Sequence, residues 1–133
     1  MKAFEEIEHT ADLAFCAYGR DPAELFANAA RGMFTLQGGG LPPPLQERRV
    51  EVEGVDRETL LVNWLNELLY LQERHGEVYS EFEMEELSAT RLRARVRGGA
   101  QAGVRRRIKA VTFHDLRVRQ TAEGWQATLV LDV

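Results

Sequence analysis

Acidic residues near both ends of the sequence are the first candidates for chemistry. Asp12 closes the segment Glu-His-Thr-Ala-Asp (residues 8–12), which lies between two predicted strands, and Asp132 ends an apolar strand beside the terminal carboxylate of Val133. A carboxylate at the end of an apolar strand needs water or a cation nearby. If Asp12 converged on Asp132 and Val133, the resulting oxygen-rich site would suit a hard cation such as Ca²⁺ or Mg²⁺. The spacing leaves that convergence open, and local capping of a turn by Thr10 and Asp12 is the alternative.

A second group of polar residues lies in the strand predicted over residues 108–118. The period of two residues along a strand places Lys109 and Asp115 on one face and His114 on the other. A lysine in an otherwise apolar strand is costly to bury without a carboxylate partner. If Lys109 is buried, it therefore needs such a partner.

The sequence does not support several other kinds of active site. One cysteine and three scattered histidines lack the spacing of paired zinc ligands. There is no phosphate-binding loop, dinucleotide fingerprint or nucleophile-elbow pattern, and no nucleophile stands beside a recognisable base. Cys16 lies in an apolar strand and is expected to be a buried, inert thiol. A single cysteine excludes an internal disulfide and suits a reducing compartment.

Arginines at alternate positions over residues 91–97 form a regular pattern with the strand before them. Glutamates occupy alternate positions over residues 81–85, and a turn near Ser88 separates the two segments. Opposite charges on facing strands of a hairpin form cross-strand ion pairs, each contributing about 0.2–1 kcal/mol. This pattern predicts a solvent-facing, largely neutralised surface.

Three further arginines, Arg105, Arg106 and Arg107, follow a glycine-rich tip over residues 98–103 and have no adjacent acidic run. A basic loop of this kind can contact a phosphate backbone or an acidic partner. The loop lacks the interleaved aromatic residues on which single-strand binders stack bases, and the net charge of the chain is −4. Contact with RNA or with a partner protein therefore remains a candidate role.

Two helices are predicted from their capping signals. The first spans residues 22–36 after the Asp21-Pro22 start, and the second begins after Asp56 and ends near Gly76. The remaining apolar segments alternate as strands, giving the order β-β-α-β-α-β-β-β-β. We predict an α+β fold in which two helices pack on a mainly antiparallel sheet of about seven strands.

Length and composition indicate one globular domain over residues 1–133. Hydrophobic residues make up 44% and charged residues 29%, which excludes disordered and fibrous proteins. The longest apolar runs fall far short of the about 20 residues that a membrane helix needs, and the acidic N-terminus lacks the core of a signal peptide. We expect a cytoplasmic protein with no membrane partner.

Three segments together resemble the archease family. They are Glu-His-Thr-Ala-Asp at 8–12, Leu-Leu-Val-Asn-Trp-Leu-Asn-Glu-Leu-Leu-Tyr at 60–70, and Ile-Lys-Ala-Val-Thr-Phe-His at 108–114 leading to Leu-Asp-Val at 131–133. They stand in the order of the family, and the resemblance spans the whole chain. The Gly/Pro loop after the first helix and the arginine-rich tip are particular to this chain.

The resemblance implies an accessory protein for an RtcB-type RNA ligase, which joins RNA ends using GTP and a divalent metal. It implies promotion of guanylylation of the ligase's active-site histidine, and hence multiple turnover, in tRNA splicing or RNA repair. The acidic metal ligands of the family correspond to Asp12 and Asp132, with the carboxylate or carbonyl of Val133 completing the site for Ca²⁺, Mg²⁺ or Mn²⁺. Lys109 corresponds to a further functional residue. His9 and His114 are also carried over, with local hydrogen bonding as the alternative.

Two other classes of function stay open on the sequence. A general chaperone or modulator of nucleic-acid-processing proteins would expose an apolar patch and suppress aggregation of unrelated clients. A stand-alone metal-dependent hydrolase would turn over substrate without a partner, although no nucleophile or general base stands out in the sequence.

Overall fold

Both helices begin and end where their capping residues predict. The computed structural model describes residues 1–7 and 13–133. Helix α1 spans Pro22–Leu36, and the Asp21 side chain accepts a hydrogen bond from the Glu24 N–H at 2.8 Å. Helix α2 spans Arg57–His75, with Asp56 accepting from the Thr59 N–H at 2.8 Å. It ends at Gly76, whose left-handed conformation (φ 65°) favours glycine.

The strands form two antiparallel sheets. Within residues 1–7 and 13–133 there are eight strands: β1 (Phe4–Ile7), β2 (Leu13–Gly19), β3 (Gln46–Glu53), β4 (Glu77–Leu87), β5 (Arg91–Ala100), β6 (Ala110–Thr112), β7 (Val118–Thr121) and β8 (Gly124–Asp132). A five-stranded sheet has the order β1-β2-β8-β6, with β7 also paired to β8, and a three-stranded sheet has the order β3-β5-β4. The predicted α+β class with two helices is confirmed, and the strands divide between two sheets instead of forming one.

The two helices join the sheets into one core. Helix α1 packs on β1, β2 and β8 of the five-stranded sheet and on β4 of the other, while α2 contacts β6 on one side and β3, β4 and β5 on the other. Trp64 of α2 is fully buried, and its indole Nε1–H donates to the Phe26 carbonyl of α1 at 3.0 Å. The buried indole therefore has its polar group satisfied and also ties the helices together.

The prediction of a single strand over residues 108–118 is wrong, because a turn divides this segment. Strand β6 ends at Thr112, and the Leu116 N–H donates to the Phe113 carbonyl at 3.2 Å. Asp115 has φ 52°, a left-handed conformation that an extended strand cannot include. Val118 then pairs with Ala127, which is nearer the start of β8 than the residues that pair with β6. The predicted alternation of Lys109, His114 and Asp115 on opposite faces of one strand does not exist.

The predicted glycine-rich tip is also partly wrong. Gly98 and Gly99 lie inside β5, where both are buried. A Cβ atom at Gly98 would lie 1.9 Å from the Val78 carbonyl oxygen of β4, so glycine is needed for the two strands to approach. Only the segment after Ala100 leaves the sheet.

The charged face of the three-stranded sheet is paired as predicted. Arg95 lies 3.1 Å from Glu85, and Arg93 lies 3.6 Å from Glu86, across β5 and β4. Arg97 contacts Glu83 of β4 at 3.3 Å and Glu47 of β3 at 3.0 Å. Because β5 is the central strand, its arginines find carboxylates on both neighbours, including on β3, which the hairpin pattern did not foresee.

Candidate functional site

Lys109 and Asp132 lie together at one end of the five-stranded sheet. Strand β8 ends at Asp132, whose partner in β6 is Ala110, and the Lys109 N–H donates to the Asp132 main-chain carbonyl at 2.7 Å. Both side chains are exposed, as is that of Val133, the next residue along the chain. Lys109 and Asp132 are therefore neighbours along the backbone, and because the Lys109 side chain is exposed it does not need the carboxylate partner that burial would have required.

The other predicted ligand, Asp12, and the predicted histidine His9 lie outside the described residues. Their segment is followed directly by β2, whose first residue, Leu13, pairs with Leu131 of β8. The residue after Asp12 in the sequence and the residue before Asp132 are thus direct cross-strand partners. The first and last strands belong to the same sheet, in which β2 lies between β1 and β8.

The described residues supply only part of a metal site. Across residues 1–7 and 13–133, no three His, Cys, Asp or Glu side chains are grouped so as to hold a metal ion. Asp132 offers one exposed carboxylate, and the main-chain oxygen of Val133 is a second hard donor beside it. Oxygen donors at the open end of a sheet fit Ca²⁺, Mg²⁺ or Mn²⁺ in kind, and the third predicted donor, Asp12, lies outside the described residues.

Asn66 of α2 hydrogen-bonds to the outer side of β6, the strand that follows Lys109. Its Oδ1 accepts from the Val111 N–H at 2.8 Å, and its Nδ2 donates to the Val111 carbonyl at 3.2 Å. The carboxamide therefore occupies both main-chain groups of Val111, as a neighbouring strand would. Sequence reasoning missed this role, although an asparagine within the apolar stripe of a core helix was a signal that it had a buried polar partner.

His114 lies beyond the opposite end of β6 from Lys109. Its main-chain N–H donates to Thr112 Oγ1 at 3.3 Å, and its Nε2 lies 3.2 Å from Asp115 Oδ2. Thr112 in turn donates to the Val130 carbonyl of β8 at 3.1 Å. Since Thr112 pairs with Val130 and Ala110 with Asp132, the strand direction carries His114 away from Asp132. The structure does not bring His114 to the proposed ligands.

The basic segment Arg105–Arg107 is exposed but firmly attached. The N–H groups of Arg105 and Arg106 both donate to the Gln37 carbonyl at the end of α1, each at 2.9 Å. The Arg107 guanidinium lies 3.1 Å from the Glu73 carboxylate of α2. No acidic residue adjoins these arginines in the sequence, but the fold brings Glu73 of α2 next to Arg107.

Cys16 is more exposed than predicted. It lies half-buried in β2, and its Sγ is 3.2 Å from Thr128 Oγ1 of β8. Cys16 and Thr128 are direct partners in the sheet register, so this contact follows from the pairing of the two strands.

No helix in the described part of the chain combines the length and the apolar character needed to cross a bilayer. The longer helix, α2, carries Glu58, Glu67, Glu73 and Arg74 along its length.

Comparison with known proteins identifies the family. The model of the Archease protein family matches residues 4–133. Protein archease of Methanosarcina acetivorans is 37% identical, with 99% of this chain and 97% of the relative aligned, and that of Archaeoglobus fulgidus is 39% identical over 96% of each. The solution structure of protein 1598 of Methanobacterium thermoautotrophicum superposes with a TM-score of 0.76 at 34% identity, covering all of both chains.

A second solved structure supports the fold alone. The crystal structure of a Thermotoga maritima archease, described as a possible chaperone, superposes with a TM-score of 0.68 at 22% identity over 97% of this chain and 96% of that one. With a family model that spans nearly the whole sequence and full-length relatives above 30% identity, the chain belongs to the archease family.

Proposed function

We propose that this protein activates an RtcB-type RNA ligase by promoting guanylylation of the ligase's active-site histidine and thereby its multiple turnover. In this proposal it is an accessory protein and not an enzyme, and it acts in cytoplasmic tRNA splicing or RNA repair. Membership of the archease family supports the class of function. The single observation behind the proposed site is the pairing of Leu13 with Leu131, because Asp12 precedes Leu13 and Asp132 follows Leu131 in the sequence.

In the proposed site, Asp12, Asp132 and a main-chain oxygen of Val133 would hold a Ca²⁺, Mg²⁺ or Mn²⁺ ion. Two carboxylates at contact distance repel each other by roughly 1–4 kcal/mol depending on the local dielectric, and a cation offsets that repulsion. When bound, the ion would supply positive charge that orients phosphate oxygens.

The surrounding residues of the proposed site have separate tasks. Lys109, whose N–H is bonded to the Asp132 carbonyl, adds an exposed ammonium group at the same end of the sheet. His9 is proposed as a further residue that faces the ligase, and His114 is proposed to do so from beyond the other end of β6. Arg105, Arg106 and Arg107 are proposed as a contact for RNA or for the ligase. The exposure of these three arginines supports such a contact.

The test is a multiple-turnover ligation assay in which the cognate ligase is in excess over this protein. We expect Asp12→Ala and Asp132→Ala to lose most of the stimulation and Lys109→Ala to reduce it. Glu123→Ala is the matched control, because Glu123 is an exposed acidic residue in the turn before β8, at the opposite end of that strand from Asp132. Full stimulation by folded Asp12→Ala and Asp132→Ala proteins would refute the proposed site.

A second candidate, a general chaperone or modulator of nucleic-acid-processing proteins, is favoured by exposed apolar side chains. Tyr70 is 55% exposed and Phe113 is 58% exposed. Suppression of aggregation of an unrelated client protein by the wild type, lost in a Tyr70→Ser, Phe113→Ser double variant, would support this candidate over the ligase-specific one.

A further inference from the structure

A pocket separate from the proposed metal site lies between α2, the end of α1 and the segment that follows β5. Its volume is about 420 Å³, within the range of small-molecule sites, and it is partly open to solvent. Leu69, Val104 and Ile108 supply apolar surface. The polar lining is dominated by side-chain carboxamides, which come from Gln37, Gln72 and Gln101.

Hydrogen bonds hold the carboxamides of the pocket in place. Gln37 is only 1% exposed, and it exchanges two hydrogen bonds with Gln72, of 2.8 and 2.6 Å between Nε2 and Oε1 atoms. Gln72 Nε2 also donates to Gln101 Oε1 at 3.1 Å. A chain of three connected carboxamides therefore forms one wall, and a buried residue anchors it.

The loop on the far side of the pocket is equally constrained. The N–H groups of Arg105 and Arg106 both donate to the Gln37 carbonyl. Gly39, with φ 86°, packs so closely that a Cβ atom there would lie 2.5 Å from the Ala102 carbonyl oxygen. Two backbone segments thus meet without intervening side chains, which leaves the pocket pre-formed.

The outer carboxamide keeps hydrogen-bonding capacity for a ligand. Gln101 is exposed, its Oε1 accepts one hydrogen bond, and its Nε2 has no hydrogen-bond partner within residues 1–7 and 13–133. A carboxamide with a free donor and a remaining acceptor lone pair matches the alternating donor and acceptor edge of a nucleobase, as in glutamine recognition of adenine.

An ion pair lies on the lining of the pocket. Arg107 and Glu73 both line it, and the Arg107 guanidinium lies 3.1 Å from the Glu73 carboxylate. Arg105 and Arg106 precede Arg107 on the exposed loop. Both members of that pair are about three-quarters exposed, so a phosphate can replace Glu73 at the guanidinium with little desolvation cost.

We propose that this pocket binds a nucleotide, with the base against Leu69, Val104 and Ile108, its polar edge on Gln101, and its phosphate on Arg107. The shared chemistry is that of a free mononucleotide and of one nucleotide of a single-stranded RNA. Nucleotide binding in this pocket is separate from the proposed ligase activation and needs neither the ligase nor a metal ion.

The experiment is calorimetric titration of the metal-free full-length protein with AMP, adenosine, inorganic phosphate and a 5′-phosphorylated oligoadenylate. AMP should bind more tightly than adenosine or phosphate alone. Arg107→Gln should weaken AMP binding about tenfold, the equivalent of one charge-assisted hydrogen bond, and Gln101→Ala about fivefold. Glu73→Gln should tighten binding about twofold, because it removes a competing carboxylate.

Matched controls and the oligonucleotide separate the outcomes. Arg91→Gln and Gln120→Ala, exposed residues of the same types away from the pocket, should leave AMP affinity unchanged. Oligoadenylate binding at least tenfold tighter than AMP, with the same response to Gln101→Ala, would identify RNA as the source, whereas equal affinity would identify the free nucleotide. Absence of saturable AMP binding, or binding that responds to Arg107→Gln but not to Gln101→Ala, would overturn the pocket.

Discussion

Replacement of Asn66 by alanine tests whether α2 positions the candidate site through β6. The Asn66 carboxamide makes two hydrogen bonds to the Val111 main chain, of 2.8 and 3.2 Å, and Val111 is only 3% exposed. Water cannot readily replace the lost partner there, so an unsatisfied main-chain group costs about 1–3 kcal/mol. Strand β6 has three residues, and within residues 1–7 and 13–133 it pairs only with β8, so the loss falls on an edge strand.

Amide hydrogen exchange is the direct measurement, because it reports local opening of β6. We expect the Val111 amide to exchange about tenfold faster in Asn66→Ala, or faster still, since 1.4 kcal/mol corresponds to a factor of ten. Asn63→Ala is the matched control, because Asn63 lies one turn earlier on α2 and donates to the Glu53 carbonyl, at the end of β3. It should leave exchange in β6 unchanged.

The functional consequence separates positioning from general stability. Because Lys109 adjoins β6 and bonds to the Asp132 carbonyl, loosening β6 should weaken metal binding in Asn66→Ala more than in Asn63→Ala. Titration with Ca²⁺ or Mn²⁺ at a temperature where both variants are fully folded measures this difference. Unchanged Val111 exchange in folded Asn66→Ala protein would refute the role assigned to Asn66.

Two further predictions concern charge. Arg48 donates to both carboxylate oxygens of buried Glu77 and so holds the pKa of Glu77 below its ordinary range. Glu77→Gln should lower the unfolding free energy by about 1–3 kcal/mol. The loss is limited to this range because Arg48 is partly exposed and its guanidinium can be hydrated again. The stability that comes from this lowered pKa is complete above the ordinary carboxyl range and is lost as the pH falls toward the lowered pKa. Urea denaturation from pH 7 down to pH 3 should therefore show a steeper loss in wild type than in Glu77→Gln. Chelation of divalent ions should lower the melting temperature of wild type but not of Asp132→Ala, and equal shifts in both would contradict the proposed ligand.

Local signals in the sequence predicted the helices and the charged face well. The Asp21 and Asp56 caps and the terminal Gly76 act over three or four residues, so their effect is visible in the sequence itself. The alternating arginines of β5 likewise predicted a paired surface. Long-range pairing was harder to predict, since nothing local states that β5 lies between β3 and β4.

The errors of prediction have the same physical origin. The break after Thr112 depends on the left-handed conformation of Asp115, a residue type that tolerates this conformation without requiring it. The role of Asn66 depends on contact with a strand 45 residues away in the sequence. For the candidate site, the residue types suggested a cation. Only the family resemblance indicated that Asp12 and Asp132 belong to the same site, and Asp12 lies outside the described residues.

The position of β8 has a consequence for how the protein reaches its working state. This strand pairs with β2, β6 and β7, and its contact with Leu13 joins residues more than 100 positions apart in the chain. Contacts of such high sequence separation form late, because closing a long loop is entropically costly, whereas the β4–β5 hairpin needs only local closure. A partly folded or nascent chain can therefore contain the charged three-stranded sheet while the end of β8 is still unpaired. The candidate site would then exist only in molecules that have completed folding, so the proposed activation of a partner would be withheld from incomplete chains without any separate control.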